Sequence, residues 1–235
     1  MRLIDVVRGC GLQKSTTHRL LAALIAEGLV EQDPDSERYR LGLRLLELGM
    51  AVLNRLDVRQ EAQSILRGLA ERAEETVHLG VASGTDVVYL EKVESPHAFQ
   101  MRSRVGERMP IHSTGLGKAI LAGLPEKELE EMLAAGIKQR TPRTIVDPDE
   151  LRADLQRTRM RGYSTDMEEN EEGVRCVGAP VFDHSLRVVG AISVAGPIFR
   201  FSEQRMAELA VQVVSAAQEI SRRLGYKASP YAVRS

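Results

Sequence analysis

The chain has 235 residues, enough for one large domain or two small ones with a real hydrophobic core, and a formal net charge of −1 at pH 7. That balance excludes a globally basic nucleic-acid coat, and the lack of Trp with only 4% aromatics leaves little for stacking single-stranded bases. Two distant cysteines, Cys10 and Cys176, make no metal spacing; with no signal peptide or long apolar run, they read as reduced thiols of a cytoplasmic protein with no membrane span.

Residues 1–10 read as a short amphipathic helix with Leu3, Ile4, Val6 and Val7 on its apolar side. Gly11 supplies a turn, and Gln13, Lys14, Ser15, Thr16, Thr17, His18 and Arg19 crowd the first turns of a second helix. Leu20, Leu21, Leu24 and Ile25 follow at helical spacing and are expected to face a core, and Gly28 is a natural C′ stop. Hydroxyls at a helix start satisfy free backbone N–H groups, and the same end attracts anions. Alone, this segment fits an ordinary surface helix with a polar cap. A start rich in donors followed by apolar turns is also how a recognition helix meets DNA.

Two short strand-like runs, at 29–31 and 38–41, then flank a Pro/Asp/Ser turn, which is a hairpin signal. Helix, helix and hairpin make a winged helix-turn-helix over residues 1–41, whose wing would offer Arg38 or Arg40 to a phosphate. Residues 1–56 carry eight basic and seven acidic side chains, so DNA affinity would rest on local placement and on two copies sharing the contacts. A linker helix is expected over 42–60, running on into a helix to about Thr76.

Beyond Thr76 the period changes to two. Strands are expected at 77–81 and 87–90, at least one more within 91–104, and others at 163–167, 176–183 and 188–194. Between them lie a loop over 105–113, a helix at 115–122 and two charged helices near 126–135 and 148–161. Ser202 caps a closing helix to about Leu224, and 226–235 read as a loose tail. Hairpins first and last, with helices between, give an α+β domain around an antiparallel sheet over 61–225.

Three stretches of that domain have chemical potential. The run Ser113-Thr114-Gly115-Leu116-Gly117-Lys118-Ala119 fails the phosphate-loop spacing, because His112 and Ala119 stand where Gly and Ser or Thr are needed. It still opens a helix after a loop, so backbone N–H groups at Gly115 can meet a small carboxylate, or simply form a tight capped turn. The acidic run from Asp166 to Glu172 is expected to be mostly solvated, above all at Glu169, Glu171 and Glu172. Ser193 sits in an otherwise apolar strand, where a buried hydroxyl needs a partner such as a bound carboxylate. No nucleophile elbow or histidine metal motif is present, so neither catalysis nor a metal or other cofactor is expected.

The KSTTHRLLAAL…GLV…YRLG run resembles the DNA-binding domain of the IclR family of bacterial transcriptional regulators. MPIHSTGLGKAILA and GVRCVGAPVFD…VVGAISVAGP resemble that family's effector-binding domain. The resemblance implies a GAF-like sensor fold, a homodimer or homotetramer, double-stranded operator DNA bound through Gln13, Lys14, Ser15, Thr16, Thr17 and Arg19, and a small organic acid as effector. It also places another helix before residue 1, so the sequence as given is expected to lack the first helix of its DNA-binding domain. Ala98, Met109 and Leu116 match apolar pocket positions, and Asp166 and Cys176 match further pocket positions, although Cys176 also reads as a small core hydrophobe. In the resemblance, Ala195 stands where relatives that recognise two- or three-carbon acids carry a second Ser, which implies a larger or less polar ligand, with an aromatic acid among the candidates. The competing reading is a stand-alone small-molecule sensor that does not bind DNA.

Overall fold

The structure, a computed structural model, describes residues 1–53, 57–97 and 101–227. Residues divide into two compact units, 1–56 and 57–235.

In the first unit, α1 (Leu3–Cys10) ends where Gly11 turns left-handed at φ 68°, its N–H on the Val7 carbonyl. The helix α2 (Lys14–Ala26) follows after a three-residue turn. It closes in a Schellman arrangement: Gly28, at φ 69°, donates to Ile25 O, and Leu29 donates to Leu24 O. Strands β1 (Val30–Gln32) and β2 (Tyr39–Leu41) pair antiparallel, with Asp33 Oδ1 accepting from Ser36 N and Oγ at 2.7 Å to tie the turn. Then comes α3 (Arg44–Leu53).

The expected apolar face of α2 is narrower than its spacing suggests. Leu21 is buried, but Leu20, Leu24 and Ile25 are exposed, and Thr17 takes the other inward place. Thr17 and Leu21 are four apart and share one line along the helix, which is all that α1 and β1 cover. The linker is described as α3 up to Leu53 and a separate helix α4 (Asp57–Ala73); the junction at 54–56 lies outside the described residues.

The second unit is built on one six-stranded antiparallel sheet. Its strands are β3 (Thr76–Ser83), β4 (Asp86–Val93), β5 (Arg108–Pro110), β6 (Ser164–Met167), β7 (Val174–Phe182) and β8 (Val188–Pro197), in spatial order β5-β4-β3-β8-β7-β6. Helices α4 and α8 (Glu203–Arg223) pack together on the sheet, and Val77, Leu79, Val177, Ile192 and Val194 fill that face. The alternate residues face α5 (Gly115–Gly123), which packs with α7 (Pro148–Arg161); α6 (Glu126–Ala134) adds Leu129 to the same core. The α+β architecture expected from the pattern is present, with Ser202 capping α8 through Arg205 N.

Two details differ. The strand expected within 91–104 is the end of β4, and the next strand, β5, lies at 108–110 inside the expected loop. Tyr226 is anchored, its ring stacked on Phe182 at 5.4 Å and its N–H on Ser221 O; residues 228–235 lie outside the described residues.

The tight turn into α5 depends on an absent side chain. A Cβ on Gly117 would lie 1.9 Å from the Ile111 carbonyl oxygen, a backbone atom that cannot rotate away. Gly117→Ala is therefore expected to destabilise the second unit by about 1–3 kcal/mol or more, read as a lower urea midpoint at unchanged m-value.

Candidate functional site

The sheet's register places the predicted pocket residues. Asp166 on β6 pairs with Cys176 on β7, which pairs with Ala195 on β8, so these three form one row on the α5 side of the sheet. The next row on that side runs Ser164, Gly178, Ser193, His78. A bulge between Leu79 and Gly80 sets Tyr89 opposite Gly80, and its ring stacks on His78 at 4.7 Å. Above these rows is a cavity of about 100 Å³.

Its other walls come from far along the chain. The N-terminus of α5 is capped by Thr114, whose Oγ1 accepts from Gly117 N at 3.0 Å, and Gly115 and Leu116 face the cavity. Met101, Arg102, Ser103 and Glu107 close one side, held by His78 Nε2 to Ser103 Oγ at 2.7 Å and by Lys92 Nζ to Met101 O at 2.7 Å. Asn170 and Glu171 close another, with Asn170 Oδ1 accepting from Ser113 Oγ at 3.2 Å. Met109, Gly115, Leu116, Asp166, Cys176, Ser193 and Ala195 thus line one cavity; Ala98 lies outside the described residues.

Burial sets the charges here. It pushes His78 down to about 3, so the ring is neutral, and pushes Tyr89 and Cys176 up, so both keep their protons. Asp166 is pushed up to about 7, by burial first and then by the Glu169 carboxylate. Its Oδ1 accepts from Glu169 N at 2.7 Å, and its Oδ2 lies 3.7 Å from Cys176 Sγ. Among the described residues no side-chain hydrogen bond occupies the Ser193 hydroxyl, which is buried on the cavity floor. The enclosure holds hydroxyls at Ser103, Tyr89 and Ser193 beside the apolar surfaces of Leu116, Met109 and Ala195.

The acidic run is not a solvated loop throughout. Glu171 and Glu172 are exposed as expected, but Glu169 is buried and its Oε1 receives Lys118 Nζ at 2.6 Å. Lys118, at 1% exposure, also reaches Asp154 Oδ2 at 2.8 Å. Burial raises Glu169; at Asp154 burial also pushes upward, but Lys118 with Arg161 and Arg157 together outweighs it and holds that carboxyl down. The hydroxyls of Thr141 and Thr144 grip the Glu168 and Glu169 carbonyls at 2.7 and 2.6 Å. Sequence reading missed this triad; the available signal was a single Lys inside the apolar run Gly115–Ala122, with no polar side of the helix to carry it.

His112 bonds Lys138 O beside Met132 and Leu133. A larger open groove of about 820 Å³ lies between the ends of α5, α7, β7 and α8. It holds none of the predicted residues, and two of its cations are engaged, Arg159 by the Ala122 and Leu124 carbonyls and Arg222 by Glu219.

In the first unit, Gln13, Lys14, Ser15 and Arg19 are exposed around the start of α2, and Thr16 is half-buried. Thr17 is buried, its Oγ1 donating to Gln13 O at 3.1 Å and lying 3.7 Å from Cys10 Sγ. That packing withdraws Thr17 from the outer surface expected of it. Among the described residues no side chain caps the α2 start, so its first N–H groups stay open to an anion. On the hairpin, Arg40 is paired across the strands with Glu31 at 2.8 Å, and Arg38 is exposed in the turn.

A helix-turn-helix unit with a hairpin wing, on one chain with an α+β unit, is the organisation of a DNA-binding transcriptional regulator. The family model described as the IclR helix-turn-helix domain matches residues 1–34, and that of the bacterial transcriptional regulator IclR C-terminal region matches residues 50–222. The chain belongs to the IclR family of bacterial transcriptional regulators. It is 39% identical over 229 residues to the HTH-type transcriptional regulator XynR of Escherichia coli strain K12, covering 97% of this chain and 91% of that one. The crystal structure of the Thermotoga maritima IclR is 38% identical with a TM-score of 0.77, covering 96% of this chain and 92% of that one. An IclR homolog from Microbacterium hydrocarbonoxydans, complexed with 4-hydroxybenzoate, is 26% identical with a TM-score of 0.82, covering 96% and 91%. Among the described residues no helix is long and apolar enough to cross a membrane.

Removing Lys118 would leave two buried carboxylates facing each other. Lys118→Met is expected to destabilise by about 3–5 kcal/mol, and adding Asp154→Asn and Glu169→Gln to restore much of it, as measured by urea unfolding.

Proposed function

We propose that the chain is a DNA-binding regulator whose affinity for a palindromic operator is set by a small organic acid in the Asp166–Ser193 cavity. The single observation that carries the sensor half is the enclosure itself: two rows of the sheet and three separate loops converge polar groups on a space the size of a small acid. Support for an acid comes from the donors around it, and support for hydrocarbon or aromatic character from Ala195, Leu116 and Met109. The relative bound to 4-hydroxybenzoate carries an acid of that kind.

For DNA, the uncapped start of α2 with Lys14 supplies phosphate contacts. At 100° per residue, Ser15 and Arg19 lie on the side of α2 opposite Thr17 and Leu21, which makes them the base-reading pair, with Gln13 and Thr16 beside them. Arg38 is the wing's better phosphate ligand, since Arg40 is shared with Glu31. A homodimer, or a pair of dimers, would bring two such helices to successive half-sites; the exposed Leu45, Leu46, Leu48 and Met50 of α3 offer it apolar surface.

The test is anisotropy of a labelled fragment from upstream of the gene, with and without 4-hydroxybenzoate and other small carboxylates. Operator binding that shifts with one of them supports the reading, and equal binding to scrambled DNA overturns it. Lys14→Ala is expected to weaken all sequences alike and lower the salt slope by about 1, whereas Arg19→Ala should relax discrimination by about 1–3 kcal/mol at one base pair. Thr17→Ala should leave discrimination intact and lower the melting temperature instead, since its hydroxyl bonds inward.

A further inference from the structure

A carboxylate effector would enter a cavity lined by a buried carboxyl. Asp166 is 2% exposed and faces that space from β6. Two charged groups face it from the loop and from α5: Glu169, adjacent and anionic, and Lys118, whose Nζ is already held between Asp154 and Glu169. From β4 and β7 come Tyr89 and the Cys176 thiol, both neutral, and from β3 comes neutral His78. The rim carries Glu107 and Glu171 against Arg102, all three exposed to water. No unshared buried cation among the described residues balances a second negative charge beside Asp166.

We propose that Asp166 meets the effector as a neutral carboxylic acid, its Oδ2 proton donated to the ligand's carboxylate, so that wherever Asp166 is ionised beforehand, binding of the anion takes up a proton from water. The geometry suits this: Oδ1 accepts Glu169 N–H, the Asn170 N–H also reaches the carboxyl, and Oδ2 carries the weak Cys176 thiol bond on the cavity side. Two ionised carboxylates in contact in an enclosed space repel, and one shared proton removes the repulsion while adding a charge-assisted hydrogen bond. The position of Asp166 near neutrality makes the proton available at ordinary pH. The sign follows: the acid form is present below about pH 7 and lost above it, so affinity for an anion falls as pH rises. This rests on the cavity being the acid-sensing site.

Two measurements on the full chain test it. The first needs no effector: carbon-13 NMR of aspartate-labelled protein, with the Asp166 carboxyl assigned by its loss in Asp166→Asn. A titration midpoint near neutral is expected; one below about pH 5 overturns the proposal. The second is calorimetry with 4-hydroxybenzoate and pyruvate as probes between pH 6 and 8.5, in buffers of different ionisation heat. Expected are proton uptake on binding and a dissociation constant rising toward about tenfold per pH unit above the midpoint. Asp166→Asn, whose amide still donates, should lose that dependence. Binding without proton uptake at pH 8, where wild-type Asp166 is mostly ionised, overturns the proposal. If neither probe binds at any pH, the acid-sensor reading fails for these acids, while the first titration still decides whether Asp166 holds its proton.

Discussion

The close approach of α5 to the sheet is the constraint on which the second unit turns. A Cβ on Gly178 would come within 2.5 Å of Gly115 O, and one on Gly115 would lie 3.0 Å from Cys176 Cβ. Ser164 Oγ bonds the same Gly115 carbonyl at 2.5 Å, which pins the first turn of the helix to β6. Because the helix start sits this low, its N–H end and Leu116 become one wall of the cavity rather than a surface above it. A bulkier contact would lift the helix and open the enclosure to water, weakening every polar contact inside it.

The second support is the ion triad under that helix. Lys118 points from α5 to Asp154 on α7 and to Glu169 in the loop after β6, so a single ammonium ties three elements together. Buried ion pairs are weak sources of net stability, since desolvation opposes the attraction. Their value here is positional: Glu169 is held by its side chain, by the two threonine hydroxyls on its carbonyl region, and by its own N–H on Asp166. The grip on Glu169 thereby fixes which oxygen of Asp166 is left facing the cavity.

Much of this arrangement was legible in the residues, because a strand period of two writes itself into the sequence. The strand that carries Ser193 and Ala195, the helix opening at Gly115 and the Ser202 cap all have local causes, and they lie where local pattern puts them. What escaped depended on partners distant in sequence. Glu169 looks like its solvated neighbours until Lys118, 51 residues away, is placed beside it. Thr17 looks like Thr16 until α1 is packed against one side of α2. The leucines of α2 kept helical spacing, yet only Leu21 is covered, because periodicity reports which side is apolar and not how much of it meets another element.

The cavity's construction also bears on how a ligand could act at a distance. A ligand shifts an equilibrium only by its differential affinity for the two arrangements, about 1.4 kcal/mol for each tenfold change in operator affinity. A site built on a single element could be filled without disturbing anything else. This one is walled by the 101–107 segment, the start of α5 and the 168–171 loop over a floor of four strands, and each wall is tied by separate bonds such as His78 to Ser103 and Ser113 to Asn170. A molecule inside must fit or displace all of them together, so the difference between filled and empty states is spread over elements that are remote in the chain. A few hydrogen bonds of about 1 kcal/mol each, gained or lost at those walls, are enough for a tenfold to hundredfold response.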